Sequence, residues 1–587
     1  MSERRSEYAL FDPEAIDALR PVVRGHKHAI VAGHYLAAEA GFAILEAGGN
    51  AIDAGVAAGI ALGVVHSDLV NVAGVAPIIL YSAKTGQVET ISGLGTWPAA
   101  VTPDLFQREH DGHIPVGVLR SVVPSAPDAW ITALERHGTM TFGEVAEASI
   151  RLAGAGFVMY PLMASVIAKK VEAYNRWPSN AAIYLPGGQA PAVGDVFVQA
   201  DLGRSLQYMA DEERAAGGDR GAGLAAARAA FYRGDIAAAI ARYHGENGGL
   251  LTADDLASFR VAVEPPERIT VDGIDVYACG AWCQGPTLLQ ALRLLDTKAL
   301  AVHGHNSPEA LHMMAEALKL AFADRERWIG DPRFVDVPSA ALLCDDYIAQ
   351  RRALIRPGEA WPEMPPAGDP LGVAVDVGRA SVGAAAAEPV EAAHDTSYVC
   401  TIDSEGNVFS ATPSDISFDS PVIPGTGICA SSRGAQSWAD PAHTSSVAPG
   451  KRPRLTPNPA LAMGDDGFAM PFGTPGGDVQ IQAMLQTFVN IMVYGMNPQA
   501  AVEAPRLATM SFPNSFEPHE YHPGKLMLEA RISEAAGDTL AAWGHGVEWW
   551  PEWAWPAGAM CVLVKDGARG TLSGGADPRR PAYGLAW

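Results

Sequence analysis

Cysteine is scarce in this sequence: six thiols are spread over 587 residues, and only Cys279 and Cys283 stand close together. No paired CxxC spacing occurs, which excludes a zinc knuckle or a disulfide framework and leaves the close pair as two ordinary buried thiols. Basic residues are also short, with 42 lysines and arginines against 66 acids and a formal charge of −24. Such a charge repels phosphate backbones and anionic membrane surfaces, so neither nucleic acid nor membrane is expected as a partner. Long apolar runs are missing too. The longest, AGVAAGIALGVV from Ala54 to Val65, is too short to span a bilayer and follows Asp53 directly, so it is expected to be a buried helix. The start, MSERRSEYALFDPEAIDALRP, has an Arg pair but no apolar core and no small-residue cleavage site after it, and a cytoplasmic location is expected.

What is present is a globular composition: 48% hydrophobic residues, 18% charged, 61 Gly and 43 Pro. A chain of this length exceeds what one simple core usually supports, so several domains or one large layered body is expected. HYLAAEAGFAILEAGGNAIDAGVAAGIALGVV, 34 to 65, reads as two helices broken at Gly48-Gly49, with Asn50 capping the second. Residues 198 to 265 are mostly helical in pattern, and Thr252 with Asp255 makes a capping box. A further helix starts at Ser307-Pro308, carries Leu311, Met314, Leu318 and Phe322 at helical spacing, and stops at the GDP of 330 to 332. From 356 to 393 the composition turns to alanine, proline and glycine with little periodicity, which predicts a flexible linker. TSYVCTID and VFSATPS then flank the turn 403 to 407 as a hairpin; a long helix is expected over 482 to 501, and a strand at MCVLVKDG. This order of elements predicts an α+β layered fold.

The abrupt seam at HDTSY, 394 to 398, places Thr396 where the linker ends. Breaking the peptide bond before Thr396 would leave a hydroxyl and an α-amine on one residue. An α-amine has a reference pKa of about 7.7 to 8.0, so near neutral pH it can take the hydroxyl proton during attack on a carbonyl. A hydroxyl held against its own preceding carbonyl can also begin that cleavage by an N-to-O acyl shift. Oxyanion donors are needed as well, and TPGGD, 474 to 478, offers the amides of Gly476 and Gly477 with no side chain in the way. A Gly-Gly pair alone is simply a tight turn; the two features gain meaning together.

The chain resembles the γ-glutamyltransferase family of N-terminal-nucleophile enzymes. The resemblance rests on EAGGNAIDAGVAA, FYRGDIA, GGLLTADDLASFRV and MAEALKLAFADRERWIGDPRFVDVP before the seam. After it stand DTSYVCTIDSEGNVFSAT, PGTGI, APGKRPRLTPNPAL, GTPGGDVQIQ and YGMNPQAAVEAPR. It implies a four-layer αββα sandwich and self-cleavage between Asp395 and Thr396. The products would be a helix-rich large subunit, 1–395, whose stretch 356–395 is the linker, and a β-rich small catalytic subunit, 396–587. They would stay together as a heterodimer, with further dimerisation left open. By the same resemblance Thr396 is the nucleophile, Ser414 the second hydroxyl beside it, and Gly476 and Gly477 the oxyanion pair. No cofactor and no metal is implied.

The sequence departs from that family where a γ-glutamyl head would be held. The segment 91 to 100 has no charge, Gln436 stands about where an aspartate is expected, Ile416 replaces an asparagine, and Leu455 and Thr456 replace consecutive serines. The stretch near 72 to 77 has become VAGVAP, while Arg433-Gly434 and GGD-V-Q resemble the branch containing oxamate amidohydrolase. The expectation is therefore an amide hydrolase or acyltransferase acting on a small-molecule amide other than γ-glutamyl, with Arg433, Gln436, Arg454 and Thr456 as substrate-binding residues. A true γ-glutamyltransferase or glutathione hydrolase with an altered pocket is the alternative, and a non-catalytic scaffold of the same fold the third reading.

Overall fold

The structure, a computed structural model, describes residues 18–372 and 396–587. Local signals place the early helices where the sequence predicts them. Tyr35–Glu46 and Ala51–Val65 are separate helices, and Asn50 Oδ1 accepts from the amides of Ile52 and Asp53, 2.9 and 3.0 Å away. The second helix is buried along its whole length because its small residues let neighbours approach closely. Asp53 completes the capping box by accepting from Asn50 N at 3.0 Å, and it also accepts from Thr139 N and Met140 N, which pins the following layer. Thr252 and Asp255 form the second predicted box, and Ser307 caps the helix Pro308–Trp328. Among the described residues no helix is long and apolar enough to cross a membrane.

The helix expected over 482 to 501 is two helices, Gln480–Met492 and Pro498–Glu503. Pro498 cannot continue a helix from the preceding turn, and Asn497 caps a new one by accepting from Gln499 N and Ala500 N at 3.0 Å each. The first stretch of the predicted linker, 356–372, is fastened to the body. Arg356 O pairs with His312 Nε2 at 2.8 Å, Lys319 Nζ donates to Trp361 O at 2.8 Å, and Gly368 N donates to Asp324 at 2.7 Å. The rest of it, through His394 and Asp395, lies outside the described residues.

Two seven-stranded antiparallel sheets carry the architecture. The first runs in the order Tyr583–Ala586, Ala29–Ala32, Val399–Ile402, Val408–Ala411, Ile78–Ser82, Gln87–Ile91, Val263–Glu264. The second runs Val23–Gly25, Leu572–Ala576, Cys561–Lys565, Ala469–Gly473, Ala460–Met463, Ile274–Ala278, Glu267–Val271. The predicted hairpin is present, with Val399 opposite Ala411 and Ile402 opposite Val408, and MCVLVKDG supplies the strand Cys561–Lys565. Seven of these strands precede residue 396 and seven follow it, so both sheets interleave the two halves of the chain.

Period-two alternation sorts the side chains. Tyr398, Cys400 and Ile402 of the first sheet share a core with Leu461, Cys561 and Leu563 of the second. Val399, Phe409 and Leu80 face the other way, into a core with Ile52, Val56 and Ile60. Val276, Met470 and Phe472, on the outer face of the second sheet, pack with Leu289, Leu318, Ile481 and Leu485. All six cysteines are free thiols. Burial pushes the Cys279 thiol well above its ordinary range, consistent with a packing role for it.

Candidate active site

Thr396 lies three residues before the strand Val399–Ile402 and is 1% exposed. A single antiparallel bridge pairs it with Ser414, and Ser397 N donates to Pro413 O at 3.0 Å, so the two segments run side by side. This brings Thr396 Oγ1 to 2.7 Å from Ser414 Oγ. Ser414 is held on its other side by Val75, through paired backbone bonds of 3.0 and 3.2 Å. That approach explains Gly74 in VAGVAP: a Cβ there would stand 2.2 Å from Ser414 O and 2.7 Å from Asp415 Cβ.

The diglycine comes from the second sheet. Its strand Ala469–Gly473 ends against the Tyr398 ring, and the chain turns through Gly476 and Gly477 with φ of +124° and +56°. Those angles suit glycine and leave both N–H groups, among the described residues, without an acceptor. A 3-10 turn, Gly477–Val479, leads into the helix Gln480–Met492, whose positive end adds to the donors. The Gln480 carboxamide reaches back to 3.4 Å from Thr396 Oγ1. With its nitrogen turned to the carbonyls of Thr456 and Thr474, 3.3 Å each, its oxygen faces the Thr396 hydroxyl.

The predicted substrate residues divide into two groups. Arg433 and Gln436 are the ends of one 3-10 turn, Arg433–Gln436. Arg433 Nη2 donates to Ser414 Oγ, and its Nε lies 3.4 Å from Asp415 Oδ1. Gln436 Nε2 donates to Thr456 Oγ1 at 2.8 Å, while Gln436 Oε1 is buried with no hydrogen-bond partner among the described residues. Thr456 O accepts from Gln284 Nε2 at 2.9 Å, and the same nitrogen lies 3.3 Å from Gly477 O. The structure therefore brings together Thr396, Ser414, Arg433 on one side and Gln436, Thr456, Gly477 on the other.

Arg454 is the exception. Its guanidinium is 2.7 Å from Glu326 Oε1 and donates to Arg325 O at 3.1 Å, so it is engaged in an internal ion pair rather than offered to a substrate. Burial opposes charge on Glu326, yet the guanidiniums of Arg454 and Arg325 hold its carboxyl well below the usual range. Asp395 lies outside the described residues.

Sequence reasoning did not reach Asp415, Gln480 or Arg325. Asp415, next to Ser414, has a φ of +125° and accepts from Ser431 Oγ at 2.5 Å, Ser432 N at 3.1 Å and Ser432 Oγ at 2.8 Å. Burial pushes its carboxyl up, against the pull of Arg433 and the two serines. A carboxylate adjoining a predicted site hydroxyl was the one signal available. His312, Glu316 and His545 form the one metal-like grouping among the described residues. His312 Nδ1 and His545 Nε2 stand 2.9 Å apart as a hydrogen bond, and Lys319 Nζ sits 2.8 Å from Glu316, where a cation would compete with it.

A buried hydroxyl pair near a helix start, on sheets that both halves of the chain build, fits the N-terminal-nucleophile hydrolases and acyltransferases, and comparison with known proteins shows this protein to be an enzyme of that class. Its family follows from comparison: the model described as Gamma-glutamyltranspeptidase matches residues 37–587, and the chain belongs to that family. The Acylase ACY 1 proenzyme of Pseudomonas sp. (strain SE83) is 34% identical over 567 residues, covering 94% of this chain and 92% of that protein. The Glutathione hydrolase-like YwrD proenzyme of Bacillus subtilis (strain 168) is 30% identical, covering 95% and 98%. Among solved structures, cephalosporin acylase from Bacillus halodurans superposes with a TM-score of 0.84 at 27% identity, covering 98% of this chain and 99% of that one.

Proposed function

We propose that the chain is a self-processing amide hydrolase or acyltransferase in which Thr396, freed by cleavage after Asp395, carries the acyl group. The observation behind this reading is the 2.7 Å contact of Thr396 Oγ1 with Ser414 Oγ, with the Gln480 carboxamide, at the start of the helix that follows Gly476 and Gly477, 3.4 Å from the same Thr396 oxygen. In maturation Thr396 Oγ1 attacks the carbonyl carbon of residue 395, the C–N bond breaks as the ester forms, and water hydrolyses the ester. Fragments 1–395 and 396–587 then remain associated, because each sheet interleaves strands from both. The layering we assign is the four-layer αββα sandwich, supported by one core between the sheets and one on each outer face. The names of the relatives as proenzymes support the same maturation.

In turnover the α-amine takes the Thr396 hydroxyl proton while Oγ1 attacks the substrate's amide carbon. The oxygen that becomes negative accepts from Gly476 N–H and Gly477 N–H, and the proton passes to the leaving amine as the C–N bond breaks. Water or a second amine then attacks the ester and releases the acyl group. Gly476→Ala tests the donors. A Cβ there meets nothing nearer than 3.6 Å, so space does not forbid it, but a φ of +124° does. The turn must rotate and withdraw its amides, and kcat is expected to fall about 10²- to 10³-fold with KM little changed in steady-state kinetics.

The acyl group we propose lacks the zwitterionic γ-glutamyl head. An ammonium placed at the turn Arg433–Gln436 would meet a guanidinium, and Asp415 is already bonded to Ser431, Ser432 and Arg433. Gln436 Oε1 instead offers a neutral acceptor. The acylase relatives support this reading, whereas the glutathione hydrolase-like relative favours the alternative of a γ-glutamyl enzyme with a rebuilt pocket. A panel of simple acyl amides, oxamate and a γ-glutamyl anilide decides between them. Each missing charged contact is worth about 1.5 to 3 kcal/mol, so kcat/KM for the anilide is expected to lie at least about tenfold below the best acyl amide. Faster γ-glutamyl release would overturn the assignment.

A further inference from the structure

Arg433 stands out because a residue expected to bind substrate turns instead toward the proposed catalytic hydroxyls. Its guanidinium is 2% exposed overall, donates through Nη2 to Ser414 Oγ, and lies 5.3 Å from the centre of the Phe516 ring. Its Nε is 3.4 Å from Asp415 Oδ1, and that carboxylate is fixed in turn by Ser431 and Ser432. The nearby Asp419 is engaged with Arg120 at 3.0 Å. The cation is thus clamped at the serine by a carboxylate that has its own donors.

Proton order follows from what each group can do. A guanidinium only donates, so Ser414 Oγ is an acceptor toward Arg433, which makes the serine's own O–H a stronger donor. The partner 2.7 Å away is Thr396 Oγ1. We propose that Arg433 is a positioning residue that acts through Ser414: the donation chain Arg433 to Ser414 to Thr396 Oγ1 stabilises negative charge on that oxygen. The Thr396 proton passes to the α-amine once the chain is cut. During attack Oγ1 gains negative character as its proton leaves, and in ester hydrolysis the same oxygen is the leaving group; the chain serves both steps. This rests on the reading of Thr396 as nucleophile.

The test combines Arg433→Met and Arg433→Lys with Ser414→Ala, and scores both the rate at which fragments appear from freshly made chain and steady-state kinetics on two acyl amides, one neutral and one bearing an acyl-side carboxylate. Arg433→Met is expected to lower kcat about 10- to 100-fold on both substrates with KM within about threefold, and to slow fragment formation by a similar factor. Arg433→Lys should recover part of the loss. In the Ser414→Ala background, Arg433→Met should add less than about threefold, because the route runs through that serine. Should Arg433→Met leave Asp415 unpaired and unfold the chain, Arg433→Met with Asp415→Asn removes both charges, and the same factors are read there. A loss confined to KM for the carboxylate-bearing amide, or an equal loss with and without the Ser414 hydroxyl, would overturn the inference. Failure of the underlying reading looks different: wild type would stay uncut, or Thr396→Ala would remain active.

Discussion

Thr396→Ala is expected to accumulate as a single 587-residue chain, where wild type is expected to run as two fragments, and to lose amide hydrolysis by on the order of 10⁴-fold or more. Under the proposed mechanism both effects come from one oxygen, with Oγ1 the attacking atom in maturation and in turnover, and no amine is released at residue 396 unless the first reaction occurs. The substitution should leave the fold nearly intact. It removes one hydroxyl whose 2.7 Å partner, Ser414 Oγ, keeps Arg433 as a donor, so the stability change is about 1 kcal/mol. Ser397→Ala is the matched control. That neighbouring hydroxyl is buried without a hydrogen-bond partner among the described residues, so its loss should leave fragment formation and activity as in wild type. Mass spectrometry of the denatured protein, an amide-hydrolysis assay and a thermal melt check these statements. An intact wild-type chain, or a cut Thr396→Ala chain, would refute the assignment of the nucleophile.

The sequence disclosed those parts of the molecule whose signals are local. Asn50, Thr252 and Ser307 announce helix starts because a side-chain oxygen must satisfy amides two or three residues on, and the structure has a helix at each. The hairpin around 403 to 407 is local as well. Strand order is not local: Val23 pairs with Gly574 and Thr401 with Ile30, and no periodicity states such partners. Thr396 was singled out by the compositional seam and the diglycine only in combination with it, while Ser414 was named through the family resemblance alone. Arg454 misled because its partner Glu326 is 128 residues away and a guanidinium in sequence carries no sign of being already paired. Asp415 was hidden for a different reason, since its positive φ, the close passage of Gly74 and its three donors from a later segment all belong to the folded chain. Sites are therefore less legible than folds wherever their support crosses the chain.

That support is clearest at Arg325, and its removal carries the largest expected stability effect. The side chain is fully buried and lies above the Phe322 ring, 4.5 Å from its centre. It pairs with Glu326 at 2.8 Å and with Asp478, donates to Gln284 Oε1 at 3.2 Å and to Pro513 O at 3.2 Å. Asp478 directly follows Gly477, and it also accepts from Ser515 N and Ser515 Oγ at 2.7 Å each. Gln284 lies against Gly477 O, so one guanidinium braces the diglycine turn from two sides. Arg325→Met keeps the volume but leaves the buried Asp478 without its guanidinium and Glu326 with Arg454 alone, an operation that costs about 3 to 5 kcal/mol. Because the unfolding entropy of a 587-residue chain is large, the melting temperature should fall by about 2 to 4 °C, and kcat should drop, since the turn loses its brace. Acid dependence supplies a second readout. The depressed folded-state pKa of Glu326 contributes stability above its unfolded value of about 4.3, and that contribution is lost as pH falls through the lower folded value. Removing Arg325 takes away one of the two guanidiniums responsible, so the stability of the variant should vary less with pH below about 4.3 than that of wild type. Adding Asp478→Asn should restore part of the melting temperature, because one stranded charge is gone, while leaving kcat low, because the brace is still missing. A double variant that regained full activity would show that Arg325 only balances charge and does not hold the turn.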